Sequence, residues 1–258
     1  MDLGLSGRTA IVCASSRGLG LACATALARE GCGVVLNGRD RDRLEPARER
    51  LAASGAQVVA IAADVSTGEG RAALIAAAPE ADILVTNNGG PAPGRFTDWR
   101  ESDWIGALEA NMLSAIMLIQ ALVPGMRARR FGRIVNITSA MVKSPKLAMG
   151  LSTASRAGLT AFSKALAREV ARDNVTINNL LPERIETDRL REMIGRVVAH
   201  RGIDSEAARA EMLAPVPAGR FGTPDEFGAA CAFLCSAHAG YITGQNLQVD
   251  GGAYEGLI

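Results

Sequence analysis

Short apolar runs rich in β-branched residues recur along the chain, each followed by a stretch with helical spacing, and this alternation restricts the fold more than any other feature. The runs fall at 9–13, 33–37, 58–62, 83–86, 133–138, 175–181 and 245–249. Such runs suit strands covered by helices on both faces, which is the situation in a parallel sheet. Between them, Leu21, Ala24, Leu27 and Ala28 recur at helical spacing, 40–53 reads as a charged helix with Pro46 in its early turns, and 102–126 reads as a long helix. Further helices are expected over 154–171 and 224–235, the latter opened by the capping pattern Thr223-Pro224-Asp225-Glu226. Right-handed crossovers between such strands make an α/β protein with a doubly wound, seven-stranded parallel sheet, and its ligands bind beyond the carboxyl ends of the strands. Residues 188–214 break the rhythm with two short helical patterns rich in Arg and Glu. An insertion at that end of a sheet is where a substrate lid belongs, so a single domain over 1–258 with a lid at 188–214 is expected.

Composition removes several function classes. The 258 residues are 48% hydrophobic and 21% charged, enough for a substantial core. A formal charge of +1, from 28 basic and 27 acidic residues, supplies no field for nucleic acid, and aromatic residues for base stacking are only 4% of the chain. The five cysteines form no CxxC pair and read as reduced core residues, which points to the cytoplasm. The chain shows no leader pattern and no uninterrupted apolar run of membrane-spanning length, so a soluble protein is expected. His200 and His238 stand alone, which supports neither a metal site nor a Ser/His/Asp triad.

Two turns carry nucleotide chemistry. Ala14-Ser15-Ser16-Arg17-Gly18-Leu19-Gly20 follows the first strand, where glycines let backbone approach a pyrophosphate at a helix N-terminus, although an ordinary tight turn has the same glycines. Asn87-Asn88-Gly89-Gly90 follows the fourth strand. In this order the two resemble the TGxxxGxG and NNAG motifs of the short-chain dehydrogenase/reductase family. Asn111 is similar to that family's helix asparagine, 132–137 to its fifth strand, and Arg220-Phe221-Gly222, Tyr241-Ile242-Thr243-Gly244-Gln245 and Asp250-Gly251-Gly252 to its C-terminal part. The resemblance implies a Rossmann-type domain, a homotetramer packed through the 102–126 and 154–171 helices, and a nicotinamide cofactor. Ser15, Ser16, Arg17, Gly18, Leu19 and Gly20 would cradle its phosphates, with Asp64 at the adenine, and Val65, Asn88 and Gly89 would also contact the cofactor. Pro182, Glu183 and Thr187 would lie at the nicotinamide. Where an NAD-preferring member carries an acid after the second strand, this chain reads Asn37-Gly38-Arg39, and Arg39 with Arg17 suits a 2′-phosphate, so NADP(H) is expected. Asp64 also reads as a plain helix cap. Ala14 replaces the family's first glycine, which is harmless at negative φ and strained at positive φ.

The chemical groups depart further. In the family a serine, a tyrosine and a lysine act together with the helix asparagine, the tyrosine giving the proton. Ser139 fits the serine, but Ser152 stands at the tyrosine position and Arg156 at the lysine position. An aliphatic hydroxyl is a weaker acid than a phenol and ends short of it, while an arginine stays charged and passes no proton on, although its fork could bond a ribose. Lys143, beside Lys146 in the same loop, is a candidate donor or a solvated lysine; a water polarised by Ser139 is the other candidate. Glu183 adds a carboxylate where the family has glycine. The expected function is NADP(H)-dependent reduction of a small-molecule carbonyl or acyl-thioester substrate, most similar to 3-oxoacyl-[acyl-carrier-protein] reduction. A catalytically silent NADP(H)-binding regulatory or structural protein is the alternative, and a lyase or isomerase is the third. Arg127, Arg129, Arg130 and Arg172 would offer a basic face to an acyl carrier protein, or to solvent alone.

Overall fold

Seven strands, β1 (Thr9–Val12), β2 (Gly33–Gly38), β3 (Val58–Ala62), β4 (Ile83–Thr86), β5 (Gly132–Ile137), β6 (Val175–Pro182) and β7 (Asn246–Val249), pair in parallel throughout a computed structural model. It describes residues 2–257; Met1 and Ile258, the end residues of the expected domain, lie outside them. The sheet order is β3-β2-β1-β4-β5-β6-β7. The chain therefore winds outward from β1 in one direction and from β4 in the other, which leaves a crevice at the carboxyl ends of those two strands.

Alternating strand residues feed two separate cores. Val12, Val34, Val135 and Leu180 pack with α1 (Gly18–Arg29), α2 (Arg41–Ala52) and α9 (Pro224–Cys235) through Leu27, Leu44 and Phe227. Ile11, Val35, Leu84, Ile134 and Ile177 face the other way, onto α3 (Gly68–Ala77), α5 (Ser114–Ala128) and α6 (Gly150–Val170) through Leu74, Leu118, Ile119 and Val170. This two-sided burial is why the strands carry no polar face. The five cysteines are free and buried. Thr223 and Glu226 close a reciprocal capping box on α9, and Asp40 caps α2.

Three features differ from the sequence pattern. Helix α3 lies in a stretch that gives little periodic signal, because only Leu74 and Gly70 of it are buried. Gly70 is required there, since a Cβ would lie 1.9 Å from the carbonyl oxygen of Asp64. Helix α6 starts at Gly150 and not at 154, which brings Ser152 into its first turn. The long helix is divided into α4 (Glu101–Leu108), a π-helical turn at Glu109–Leu113, and α5. The whole run Glu101–Ala128 is long and apolar enough to cross a membrane by length and composition alone. In the fold its inner face covers the sheet, while Trp104, Ile105, Leu113 and Met117 remain exposed.

Helices α7 (Asp188–Arg201) and α8 (Ser205–Leu213) form the insertion, with a small core of Leu190, Ile194, Ala208 and Met212 closed by Phe221. It is separate from the two cores of the sheet and sits after the carboxyl end of β6.

Candidate active site

A cleft of about 770 Å³ opens beyond the carboxyl ends of the strands, within the 300–1,000 Å³ usual for ligand sites. At its nucleotide end the backbone approaches closely. A Cβ on Gly20 would lie 2.3 Å from the carbonyl oxygen of Ala14, and Gly18 has φ +59°. Ala14 has φ +45°, the left-handed region, so the strained alternative holds; an L-residue there costs about 1–2 kcal/mol. The surroundings hold it in place: Asn37 Oδ1 accepts from Ala14 N–H at 3.2 Å, and Asn87 Nδ2 donates to its carbonyl at 3.4 Å. Helix α1 has no side-chain cap and no acidic residue in its first turn, unlike α2, α3 and α9. Its first N–H groups are therefore available to a phosphate, and these residues fit a dinucleotide.

Most of the expected cofactor residues line this cleft. Ser16, Arg17, Gly18, Leu19 and Arg39 lie at one end with Asp64 and Val65, and Asn88, Gly89, Pro182, Glu183 and Thr187 lie further along. Ser15 and Gly20 do not: Ser15 is fully buried, its hydroxyl donating to Val12 O at 2.7 Å and accepting from Asn37 N–H at 2.9 Å. Asp64 accepts from both the hydroxyl and the N–H of Ser66, at 2.7 and 2.9 Å, and these bonds hold its pKa below the usual carboxylate value. Arg17 and Arg39 do not act as a pair. Arg17 reaches across to Asp188 on α7 at 3.0 Å, whereas Arg39 is 77% exposed and 4.0 Å from Asp64. Arg43, one turn along from Arg39, also lines the cleft; nothing but its position on α2 marks it in the sequence.

At the chemical end the organising group is Arg156. It is buried in α6, and its guanidinium donates to Ser152 Oγ (3.2 Å), Ile137 O (2.6 Å), Asn88 O (3.1 Å) and Asn111 Oδ1 (2.9 Å). Every one of these acceptors is neutral. Burial, and secondarily the charge of Arg189, pushes its pKa down to about 10, so it remains a cation at neutral pH. Asn111 is delivered by the π-helical turn and also lines a cavity of about 10 Å³, the lower limit for one water.

Ser152 and Ser139 line the cleft itself. Ser152 Oγ accepts from Arg156, and Ser139 Oγ accepts from Met141 N–H at 3.2 Å, so each hydroxyl keeps its own proton to donate. Lys143 is placed elsewhere: its ammonium stands 5.0 Å from the ring centroid of Tyr254, and it is not among the residues lining the cleft, whereas Lys146 is. Glu183 faces the cleft but is paired with Arg184 at 3.0 Å. Of the four basic residues expected to meet an acyl carrier protein, Arg127 pairs with Asp173 at 2.7 Å, Arg130 is 3.9 Å from the same carboxylate, and Arg129 donates to the carbonyls of Glu80 and Ala81.

The reversed strand order, the uncapped glycine turn and the cleft at the carboxyl ends of the strands define a dinucleotide-binding protein of the doubly wound class. Comparison with known proteins narrows the class. The family model described as Enoyl-(Acyl carrier protein) reductase matches residues 13–254. The 3-oxoacyl-[acyl-carrier-protein] reductase FabG of Vibrio cholerae serotype O1 is 34% identical, over 98% of this chain and 99% of its own. The NADPH-dependent reductase BacG of Bacillus subtilis is 31% identical over 98% of this chain and 100% of its own. L-Sorbose reductase from Gluconobacter frateurii, solved in complex with NADPH and L-sorbose, superposes with a TM-score of 0.94 at 34% identity, over 100% of both chains. The chain belongs to the short-chain dehydrogenase/reductase family, among members resembling 3-oxoacyl-[acyl-carrier-protein] reductases.

Proposed function

We propose that the protein is an NADP(H)-dependent oxidoreductase that reduces a carbonyl group, with a water held by Ser139 and Ser152 as the proton donor. The observation that carries this reading is the buried Arg156 cation directed onto Ser152 Oγ, beside a cleft that holds both serines. NADP(H), the cofactor named for the relatives, fits the uncapped α1 turn and the cations Arg39 and Arg43. When bound, it supplies the hydride. As the carbonyl carbon takes that hydride, negative charge grows on its oxygen, and donors already aimed at that charge lower the barrier. Ser152 ends short of a tyrosine, and one water fills the gap. Both serine hydroxyls are free to donate to it, the positive charge behind Ser152 stabilises the hydroxide left when it gives up a proton, and solvent in the open cleft restores it. Lys143 has no part in this path.

The test is NADPH oxidation across a carbonyl panel that includes a 3-oxoacyl thioester, on wild type, Ser152→Ala and Lys143→Ala. Turnover lost in the serine variant and kept in the lysine variant supports the reading; the reverse overturns it. A silent NADP(H)-binding protein is the second reading, favoured by Arg156, whose contacts tie up Asn111. Tight NADPH binding with no turnover on any carbonyl would establish it.

The exposed apolar face of Trp104, Ile105, Leu113 and Met117 supports self-association into a tetramer through α4 and α5. Ile105→Glu is expected to lower the mass measured by light scattering, and an unchanged mass would remove α4 from the interface.

A further inference from the structure

Two guanidinium groups flank one short turn at the chemical end of the cleft. Arg156 holds Asn88 O from below, and its Nη2 is 3.7 Å from where a Cβ on Gly90 would stand. Arg189, near the start of α7, donates to Pro91 O at 3.3 Å from the other side. Among the described residues Arg156 has no carboxylate partner. The nearest acid to Arg189 is Glu192, one turn along the same helix, at 4.0 Å and itself 3.9 Å from Arg17.

The acids at this end of the cleft already have partners: Glu183 pairs with Arg184, Glu192 lies near Arg189 and Arg17, and Asp188 pairs with Arg17. Lys146 forms no ion pair among the described residues. Arg184 Nε is the one buried side-chain nitrogen among the described residues without a hydrogen-bond partner, and Arg184 lines this cleft in a left-handed conformation, φ +51°. A buried cation with only neutral acceptors is costly to maintain, and a bound anion offsets that cost. Apolar surface stands beside these charges: Met141, Met149 and Met193 come from three different segments and line the cleft together. Methionines of this kind pack against apolar bodies of varied shape.

We propose that the substrate is an oxo acid, a carbonyl compound that also carries a carboxylate on an apolar body, and that Arg189 holds that carboxylate beside the 88–91 turn. The inference rests on the carbonyl-reductase reading above for its reacting group. Arg189 offers two parallel N–H groups, the geometry that a carboxylate accepts in bidentate fashion, and Lys146 adds a point charge at the rim. A neutral ketone would leave Arg156 and Lys146 without an anion.

The experiment compares 2-oxooctanoate and 4-oxooctanoate with their methyl esters as substrates under saturating NADPH. In parallel, octanoate and octanamide are titrated calorimetrically into the protein saturated with NADP+. The acids are expected to exceed their esters in kcat/KM, and octanoate to bind more tightly than octanamide, by about 10- to 100-fold, the range for a charge-assisted hydrogen-bonded pair. Arg189→Met should bring both ratios toward one, and Arg189→Lys should recover part of each, which a merely structural defect would not do. Equal binding of octanoate and octanamide to wild type, or no binding of either, overturns the proposal. So does a preference that survives in Arg189→Met, since it places the carboxylate elsewhere. If no ketone is reduced while octanoate retains an Arg189-dependent advantage, the reductase reading fails and the carboxylate site stands.

Discussion

Where β1 turns into α1, the work is done by backbone N–H groups and by space that only glycine leaves; around Ser152 and Arg156 it is done by side-chain atoms. The two ends are held differently. At the nucleotide end the turn contains one left-handed alanine, Ala14, held by Asn37 and Asn87. At the chemical end one guanidinium gathers Ser152, Asn111 and two backbone carbonyls. A site made of backbone is held by local shape, and a site made of side chains by its network of donors and acceptors.

That contrast breaks most readily at Arg156. Arg156→Met leaves four acceptors, three of them in buried bonds, without their donor, and a loss of about 3–5 kcal/mol is expected from the unsatisfied groups. It would be read as a lower urea midpoint with an unchanged m-value. A loss below about 1 kcal/mol would show that the cation does not hold the site together. Next in size, Ser152→Ala should lower kcat by about 100-fold while NADPH affinity stays at the wild-type value, the usual scale for losing a proton-transfer group. A matching loss of NADPH affinity would mean that the two ends of the cleft are not separable.

At the nucleotide end, Arg39→Ala should weaken NADPH by about 10-fold and leave NADH unaffected, as expected for one charge-assisted contact to a 2′-phosphate. Equal weakening of both cofactors would move Arg39 away from that phosphate. The smallest effect belongs to Ala14→Gly. Relief of the left-handed strain, less the added chain entropy of glycine, should raise stability by about 1 kcal/mol. A destabilised variant would show that the alanine methyl packs usefully and that the turn is not strained.

The same division explains what was legible in the sequence. Strands buried on both faces announce themselves by composition, and the glycine turn by its spacing, so the sheet and the nucleotide end followed from residues 9–20, 33–39 and 83–90. Helix α3 was hidden because an alanine- and glycine-rich segment gives almost no apolar period. Ser139, Ser152, Arg156 and Asn111 could be located by their alignment with family motifs. The hydrogen bonds joining Arg156 to Ser152 and Asn111 could not, because they depend on rotamers set by packing. Lys143 illustrates the same limit: loop position alone could not show that its ammonium turns toward Tyr254. Arg184 and Arg189 drew no notice, since a lone arginine in an Arg- and Glu-rich stretch looks like any solvated charge until its neighbours are known.

The π-helical turn at Glu109–Leu113 adds a constraint of helical phase. One residue of an α-helix advances the chain by about 100°, so the extra residue in this turn sets the azimuth of all of α5 relative to α4. Removing a residue there would rotate Leu118, Ile119, Leu122 and Met126 off the sheet and swing Asn111 away from Arg156 in the same step. Substitutions can reach this site one residue at a time, whereas a change of length within the turn would disturb the core and the site at once.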